Sequence, residues 1–172
     1  MIKVFVVDDH KIVRDGIKAM LAGNTGYKFV GESAGGYKAI ELLEKIQVDV
    51  LILDINLPDG SGLDIIPEIL SRNPGIKIIM LTANIDEESV TLSVKAGAQG
   101  FLHKDISEEE LLLAIDTVFR TNEPFFGEKI SHIIYKSFVS KTRNPQEKEN
   151  KAHSLTLREQ EVLKLLADGH NC

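Results

Sequence analysis

The feature that most constrains this chain is an alternation, repeated five times, of short apolar runs with segments of helical periodicity. The first run, residues 2–7 (IKVFVV), is too short for a core helix and rich enough in branched residues for a buried strand. Val13, Ile17 and Leu21 then fall at helical spacing with charged residues between them. A second strand is predicted over 27–31 and a helix over about 37–46. The third strand is 50–53, and Ile65, Ile66, Ile69 and Leu70 mark the next helix, which Asn73-Pro74-Gly75 ends. Residues 76–81 are the most apolar run, followed by a weaker helix carrying Val90, Val94 and Ala98 and a short fifth strand over 100–103. Ser107 before Glu108, Glu109 and Glu110 reads as an N-cap with an acidic first turn, opening a helix with Leu111, Ile115, Val118 and Phe119. Repeated βα units with apolar strands imply an α/β fold, a parallel sheet with helices on both faces. Right-handed crossovers leave few topologies, and five units fit the doubly wound order 2-1-3-4-5.

After Thr121 the character of the chain changes. Residues 127–139 carry Ile130, Ile133, Ile134 and Phe138 at helical spacing, whereas 142–153 hold no large apolar side chain and read as linker. Residues 155–169 form a compact amphipathic pattern ending at Gly169, and a lone helix of that length is marginal in water without partners. The expected organisation is a domain over 1–121, a partly helical linker over 122–153 and the start of a further unit over 154–172. A net charge of −6 argues against a mainly electrostatic nucleic-acid binder. Cys172, the single cysteine, excludes an internal disulfide and a Cys-based zinc site. The opening MIKVFVVDDH lacks a signal-peptide pattern, and no apolar run approaches about 18 residues. The expectation is a soluble, cytoplasmic protein without a membrane partner.

In open sheets of this kind the chemistry sits at the carboxyl ends of the strands. There the chain places Asp8 and Asp9, Asp54, Thr82 and Lys104, with the turn formers of 58–62 beside Asp54. Two carboxylates ~4 Å apart at an effective dielectric of ~20 repel by about 4 kcal/mol. Either one of them holds a proton at raised pKa, or the cluster binds a cation. Oxygen ligands without Cys or a His pair favour a hard ion, Mg²⁺ over Ca²⁺. A hydroxyl (Thr82) and an ammonium (Lys104) beside it suit a phosphoryl group, with a carboxylate attacking in line. Gly60-Ser61-Gly62 opens no phosphate-binding fingerprint. The five histidines (His10, His103, His132, His153, His170) show no ligand spacing and are expected in surface or packing roles.

Four ordered motifs carry a resemblance: Asp8-Asp9-His10, LxLDxxLPDGSG around Asp54, Leu81-Thr82-Ala83, and Gly100-Phe101-Leu102-His103-Lys104-Asp105. Over 1–121 the chain closely resembles the receiver domain of bacterial two-component response regulators. The resemblance implies a flavodoxin-like fold and Asp54 as phosphoacceptor, taking phosphate from the phosphohistidine of a sensor histidine kinase. It implies Asp9, Asp54 and the Asn56 backbone carbonyl as Mg²⁺ ligands, with Asp8 acting through water. Lys104, Thr82 and Ala83 would bind the phosphoryl group, and Thr82 with Phe101 would form the switch. Asp105 departs from the proline many receivers carry there, and Phe101 from the commoner tyrosine.

Thr156, Arg158, Glu159, Glu161, Val162, Leu163, Leu166, Ala167 and Gly169 resemble the first helix of the LuxR-type helix-turn-helix of NarL/FixJ-type regulators. The recognition helix would follow Cys172, so DNA is expected as a partner only of a full-length output domain, not of this chain. Phosphorylation is expected to reshape the surface of roughly 86–121 and to favour a homodimer, controlling transcription. Two rivals remain. An aspartyl-phosphate phosphatase of haloacid dehalogenase type would need an acid where Asn56 stands, so no enzyme is expected. A phosphate-independent interaction module would leave the acidic pocket idle.

Overall fold

The computed structural model describes residues 1–84 and 86–143, with side chains through residue 136. The branched, apolar runs become β1 (Ile2–Val7), β2 (Tyr27–Ser33), β3 (Val50–Asp54), β4 (Lys77–Thr82) and β5 (Gly100–His103). Every residue of β3 is buried, as a strand covered on both faces requires. All neighbours in the sheet pair in parallel and follow the expected order 2-1-3-4-5.

The order does not stop at five. Phe125–Phe126 (β6) pairs in parallel with Gly100 and Phe101, adding a short sixth strand at the β5 edge. Two residues between Pro124 and Gly127 are too few for a periodic signal, which is why the sequence reads as linker there.

The helices are α1 (Lys11–Ala22), α2 (Gly36–Leu43), α3 (Gly62–Arg72), α4 (Glu87–Ala96), α5 (Glu108–Asp116) and α6 (Glu128–Arg143). Strand side chains alternate between two cores. On one face Phe5, Leu51, Leu53, Ile78 and Met80 pack with residues of α2, α3 and α4 and with Ile130 of α6. On the other Val4, Val6, Ile52, Ile79 and Leu81 pack with residues of α1 and α5.

Helix ends follow local chemistry. Ser107 accepts from the Glu110 N–H, as its spacing predicts, and Asp86 caps α4 by accepting from the Ser89 N–H. Gly97, at φ +110°, closes α4 in the left-handed conformation, its N–H donating to the Ser93 and Val94 carbonyls. α2 is shorter than predicted, and the chain has left the helix by Glu44. After α5 the chain widens into a π-helical turn, Thr117–Thr121, which turns Phe119 outward instead of into the core. Ile130 is 1% exposed, so α6 is seated on the domain rather than standing off it. The helix predicted over 155–169 and the linker beyond residue 143 lie outside the described residues. Among the described residues no helix is long and apolar enough to cross a membrane.

Candidate functional site

Parallel register brings one set of strand ends together. Val7 lies opposite Leu53, Asp54 opposite Leu81, and Thr82 opposite His103. Asp8, Asp54, Thr82 and Lys104 are therefore drawn to one rim of the sheet by strand pairing alone. Asp8 is fully buried and Asp54 is 1% exposed.

Lys104 binds both acids. Its Nζ donates to Asp54 Oδ2 at 2.5 Å and lies 2.8 Å from Asp8 Oδ2. Asp8 Oδ2 is fully shielded from solvent, and the Lys104 ammonium is the charge that faces it. Asp8 Oδ1 accepts from the His10 backbone N–H at 2.8 Å, and Asp54 Oδ1 from the Asn56 N–H at 3.2 Å.

Burial pushes the Asp54 carboxyl above its usual range, against the hydrogen bonds from Lys104 and Asn56, with the Asp8 charge adding to the rise. Desolvation pulls Lys104 down, but its contacts with Asp54 and Asp8 outweigh it and hold the ammonium above its ordinary pKa. One ammonium thus faces two buried carboxylates, and the uncompensated negative charge favours a further cation.

The backbone around the acids is fixed from outside. Arg14, buried on α1, donates from Nη1 to the carbonyls of Asp8 (2.7 Å) and Asp9 (3.2 Å) and from Nε to Glu32 Oε1 (3.2 Å). Behind Asp54, residues 56–57 and 60–61 form a two-rung antiparallel hairpin that returns the chain to Gly62. A Cβ at Gly62 would lie 2.0 Å from the Asp54 carbonyl oxygen, so only glycine permits this approach. Asp59, in the same hairpin, accepts from the Gly36 and Tyr37 N–H groups and caps α2 from across the loop.

Each residue singled out from the sequence has a definite place. Oxygen atoms of Asp8, Asp9 and Asp54 and a ring nitrogen of His10 all lie within 4.8 Å of one another. Thr82 is 4% exposed; its hydroxyl donates to the Asn84 carbonyl at 2.6 Å and accepts from the Asn84 N–H at 3.1 Å. The Ala83 carbonyl lies 3.1 Å from His103 Nε2. Asn56 is exposed beside Asp54. Phe101 is 2% exposed, its ring stacked on Phe126 with centroids 4.9 Å apart and planes at 8°.

Two residues at the site were given no part by the sequence reading. His10, expected in a surface or packing role, sets its ring against Asp8 and Asp9, and its place directly after them in the chain is the available signal. Phe126 carried no signal, because its partner Phe101 lies 25 residues earlier and its strand is two residues long.

Residues 4–116 match the response regulator receiver domain family. The transcriptional regulatory protein DegU of Brevibacillus brevis is 31% identical over 181 residues, spanning 99% of this chain and 76% of that protein. A LuxR-family two-component response regulator from Aurantimonas sp. SI85-9A1 superposes with a TM-score of 0.74 at 26% identity, covering 80% of this chain and 97% of that one. RcsB, solved as two dimers bound to two parallel DNAs, superposes with a TM-score of 0.72 at 26% identity over 99% of this chain and 78% of that one.

Proposed function

The chain belongs to the response regulator receiver family and is a two-component response regulator of the transcription-controlling LuxR type; on that footing we propose that phosphorylation of Asp54 is its switch. The observation that carries this reading is the Lys104 ammonium held between two buried carboxylates at the strand ends.

The residues fit a Mg²⁺ ion. The donors are mainly carboxylate oxygens gathered within 4.8 Å, and one ammonium, Lys104, faces the two buried carboxylates Asp8 and Asp54. Asp9, Asp54 and the Asn56 carbonyl would hold it, with Asp8 acting through water. When bound it supplies charge neutralisation for phosphoryl oxygens.

The chain's own residues supply the rest. A carboxylate oxygen of Asp54 attacks phosphorus and forms the O–P bond, while the N–P bond of a sensor kinase's phosphohistidine breaks and the imidazole leaves as the neutral base once protonated. Lys104 shifts its charge from Asp54 Oδ2 to the incoming phosphoryl oxygens. The Thr82 hydroxyl leaves the Asn84 carbonyl to donate to the phosphoryl group, and Ala83 offers its backbone N–H. Thr82 is the last residue of β4 and lies opposite His103 of β5, two residues from Phe101, so its movement reaches the Phe101 ring and the α4–β5–α5 surface of roughly 86–121.

A sensor histidine kinase is the proposed donor. Homodimerisation on activation, with DNA bound by the complete output domain, is supported by the RcsB dimers on DNA. Intact mass after incubation with acetyl phosphate tests the reading. One added phosphate is expected, dependent on Mg²⁺ and lost in Asp54→Asn. No adduct on the folded native chain, from acetyl phosphate or from a phosphorylated kinase, refutes it.

A further inference from the structure

We propose that residues 125–130 clasp the switch: Phe126 is a positioning residue that holds the Phe101 ring on the side away from Thr82, and filling of the phosphoryl site and release of the clasp favour each other. The inference rests on the reading of Asp54 as phosphoacceptor and adds the segment of this chain that restrains its response.

The topology sets the geometry. β5 lies between β4 and β6, with Phe101 opposite Met80 on one side and opposite Phe126 on the other. Phe101 and Met80 share one core, and Thr82, two residues after Met80, faces the same side of the sheet. Thr82 and Phe126 therefore flank the Phe101 ring from opposite directions. The ring is stacked on Phe126 with centroids 4.9 Å apart, while the Thr82 hydroxyl is turned to the Asn84 carbonyl.

Four further contacts hold the clasp shut. The Gly127 N–H donates to the Phe101 carbonyl at 2.8 Å and the Phe125 N–H to the Gln99 carbonyl at 2.9 Å. The Glu128 N–H donates to Glu110 Oε1 of α5 at 2.8 Å. Lys129 Nζ lies 2.6 Å from Asp105 Oδ2, which ties the clasp to the residue directly after Lys104. Ile130, in the next turn, is buried in the core that holds Phe101. One short segment thus grips the switch ring, the strand that carries it and the loop leaving Lys104.

Burial energetics turn this grip into a restraint. Without β6, Phe101 would stand on the edge strand, and an aromatic ring bared there gains by moving inward over the sheet. Phe126 already covers it, leaving the ring 2% exposed, so that gain is absent while the clasp is seated. When Thr82 turns toward a phosphoryl group, the ring can follow into the space beside it only by leaving the stack. Two arrangements result, one with the clasp seated and Thr82 on Asn84, the other with Thr82 on the phosphoryl group and the clasp loosened. Whatever favours one member of a pair favours the other by the same free energy. A segment serving stability alone would, when weakened, leave the affinity of the phosphoryl site unchanged or lower it.

The full chain with Mg²⁺ is titrated with beryllofluoride, a reversible mimic of the acyl phosphate, and occupancy is read at equilibrium by ¹⁹F NMR for the native protein, Phe126→Ala and Lys129→Gln. Amide hydrogen exchange at Phe125 and Gly127 is measured with and without the mimic, against Val4 and Ile52 in the central strands. Occupancy is expected to speed exchange at Phe125 and Gly127 on the order of tenfold and to leave Val4 and Ile52 unchanged. Phe126→Ala is expected to bind the mimic severalfold more tightly, up to that same factor, because coupling is reciprocal. Lys129→Gln removes only an exposed ion pair and should tighten binding by about twofold. Exchange at Phe125 and Gly127 that does not rise on occupancy, or failure of every folded variant to bind more tightly, overturns the clasp while leaving a phosphoryl-binding receiver intact. A folded native chain that takes up neither the mimic nor phosphate from acetyl phosphate overturns the acceptor reading beneath it as well.

Discussion

Gly62→Ala is the sharpest structural test of how Asp54 is held. The added methyl would lie 2.0 Å from the Asp54 carbonyl oxygen, 3.1 Å from the Asp54 carbonyl carbon and 3.3 Å from Leu53 Cγ. Relieving the first contact to an ordinary carbon–oxygen separation of about 3.2 Å requires more than 1 Å of movement between two backbone segments. Neither yields readily. Asp54 ends a strand flanked by β1 and β4, and the Gly62 N–H is tied to the Ile55 carbonyl at 2.7 Å. Overpacking of this kind costs about 3 kcal/mol when backbone has to shift. For a chain of this size that is a fall in thermal midpoint of about 10 °C. Thermal and urea denaturation followed by circular dichroism measure it directly. Gly16→Ala is the control: it lies within α1, its Cβ meets nothing within 4 Å, and alanine there should stabilise by about 0.5–1 kcal/mol. A Gly62→Ala protein as stable as the native chain would mean that the loop after Asp54 is freer than this packing implies, and the argument for a rigidly presented carboxylate would fail.

Ile130→Ala is expected to cost roughly 2–4 kcal/mol, because the side chain is 1% exposed within the main core. A chain ended after Thr121 should lose at least as much, and equal stability of the two lengths would show α6 to be a bystander. Asp59→Ala removes the acceptor for two α2 N–H groups and should cost on the order of 1 kcal/mol at pH 7. The bonds from Gly36 and Tyr37 hold that carboxyl below its usual range, so the contribution is present above about pH 4 and is lost as pH falls through the lowered value. Native and variant stabilities should therefore draw together as the pH is lowered, and a gap that does not narrow at all between pH 7 and the acid limit of the native fold would refute the cap. Lys104→Ala strands two buried carboxylates and is expected to destabilise the chelator-treated protein by about 3 kcal/mol, at the low end for a broken buried pair because Lys104 keeps some solvent contact. Added Mg²⁺ should recover part of that loss in an unfolding titration, and a variant indifferent to both changes would remove the electrostatic account of the pocket.

Much of this molecule was legible because its signals are local. The apolar runs of β1, β3 and β4 were plain because a strand buried on both faces needs no partner in the sequence to announce itself, while β2, half-exposed at the sheet edge, was found from its place in the alternation. Asp8, Asp54, Thr82 and Lys104 could be gathered in advance because parallel pairing sends every strand's carboxyl end to the same rim. The sixth strand escaped for the opposite reason: two phenylalanines gain their meaning from Gly100 and Phe101, far away in the chain. The π-helical turn that turns Phe119 outward left no trace in the apolar spacing, which runs on through Val118 as if α5 continued. His10 was hidden differently, since a single imidazole has no spacing to read, and its position depends on how the β1–α1 turn folds its ring back toward the carboxylates.

The edge of the sheet beyond β5 is already occupied by the chain itself. Phe125 N–H donates to the Gln99 carbonyl at 2.9 Å and Gly127 N–H to the Phe101 carbonyl at 2.8 Å, while the Phe126 ring covers Phe101. A strand or peptide arriving from solution to pair along β5 must displace a rival joined to the same domain by a few residues. Short tethers give local concentrations on the order of millimolar, so a partner present at micromolar levels starts about a thousandfold behind. This edge is defended less by the strength of its contacts than by the nearness of its competitor, and whatever loosens the segment of 122–134 also exposes an open strand.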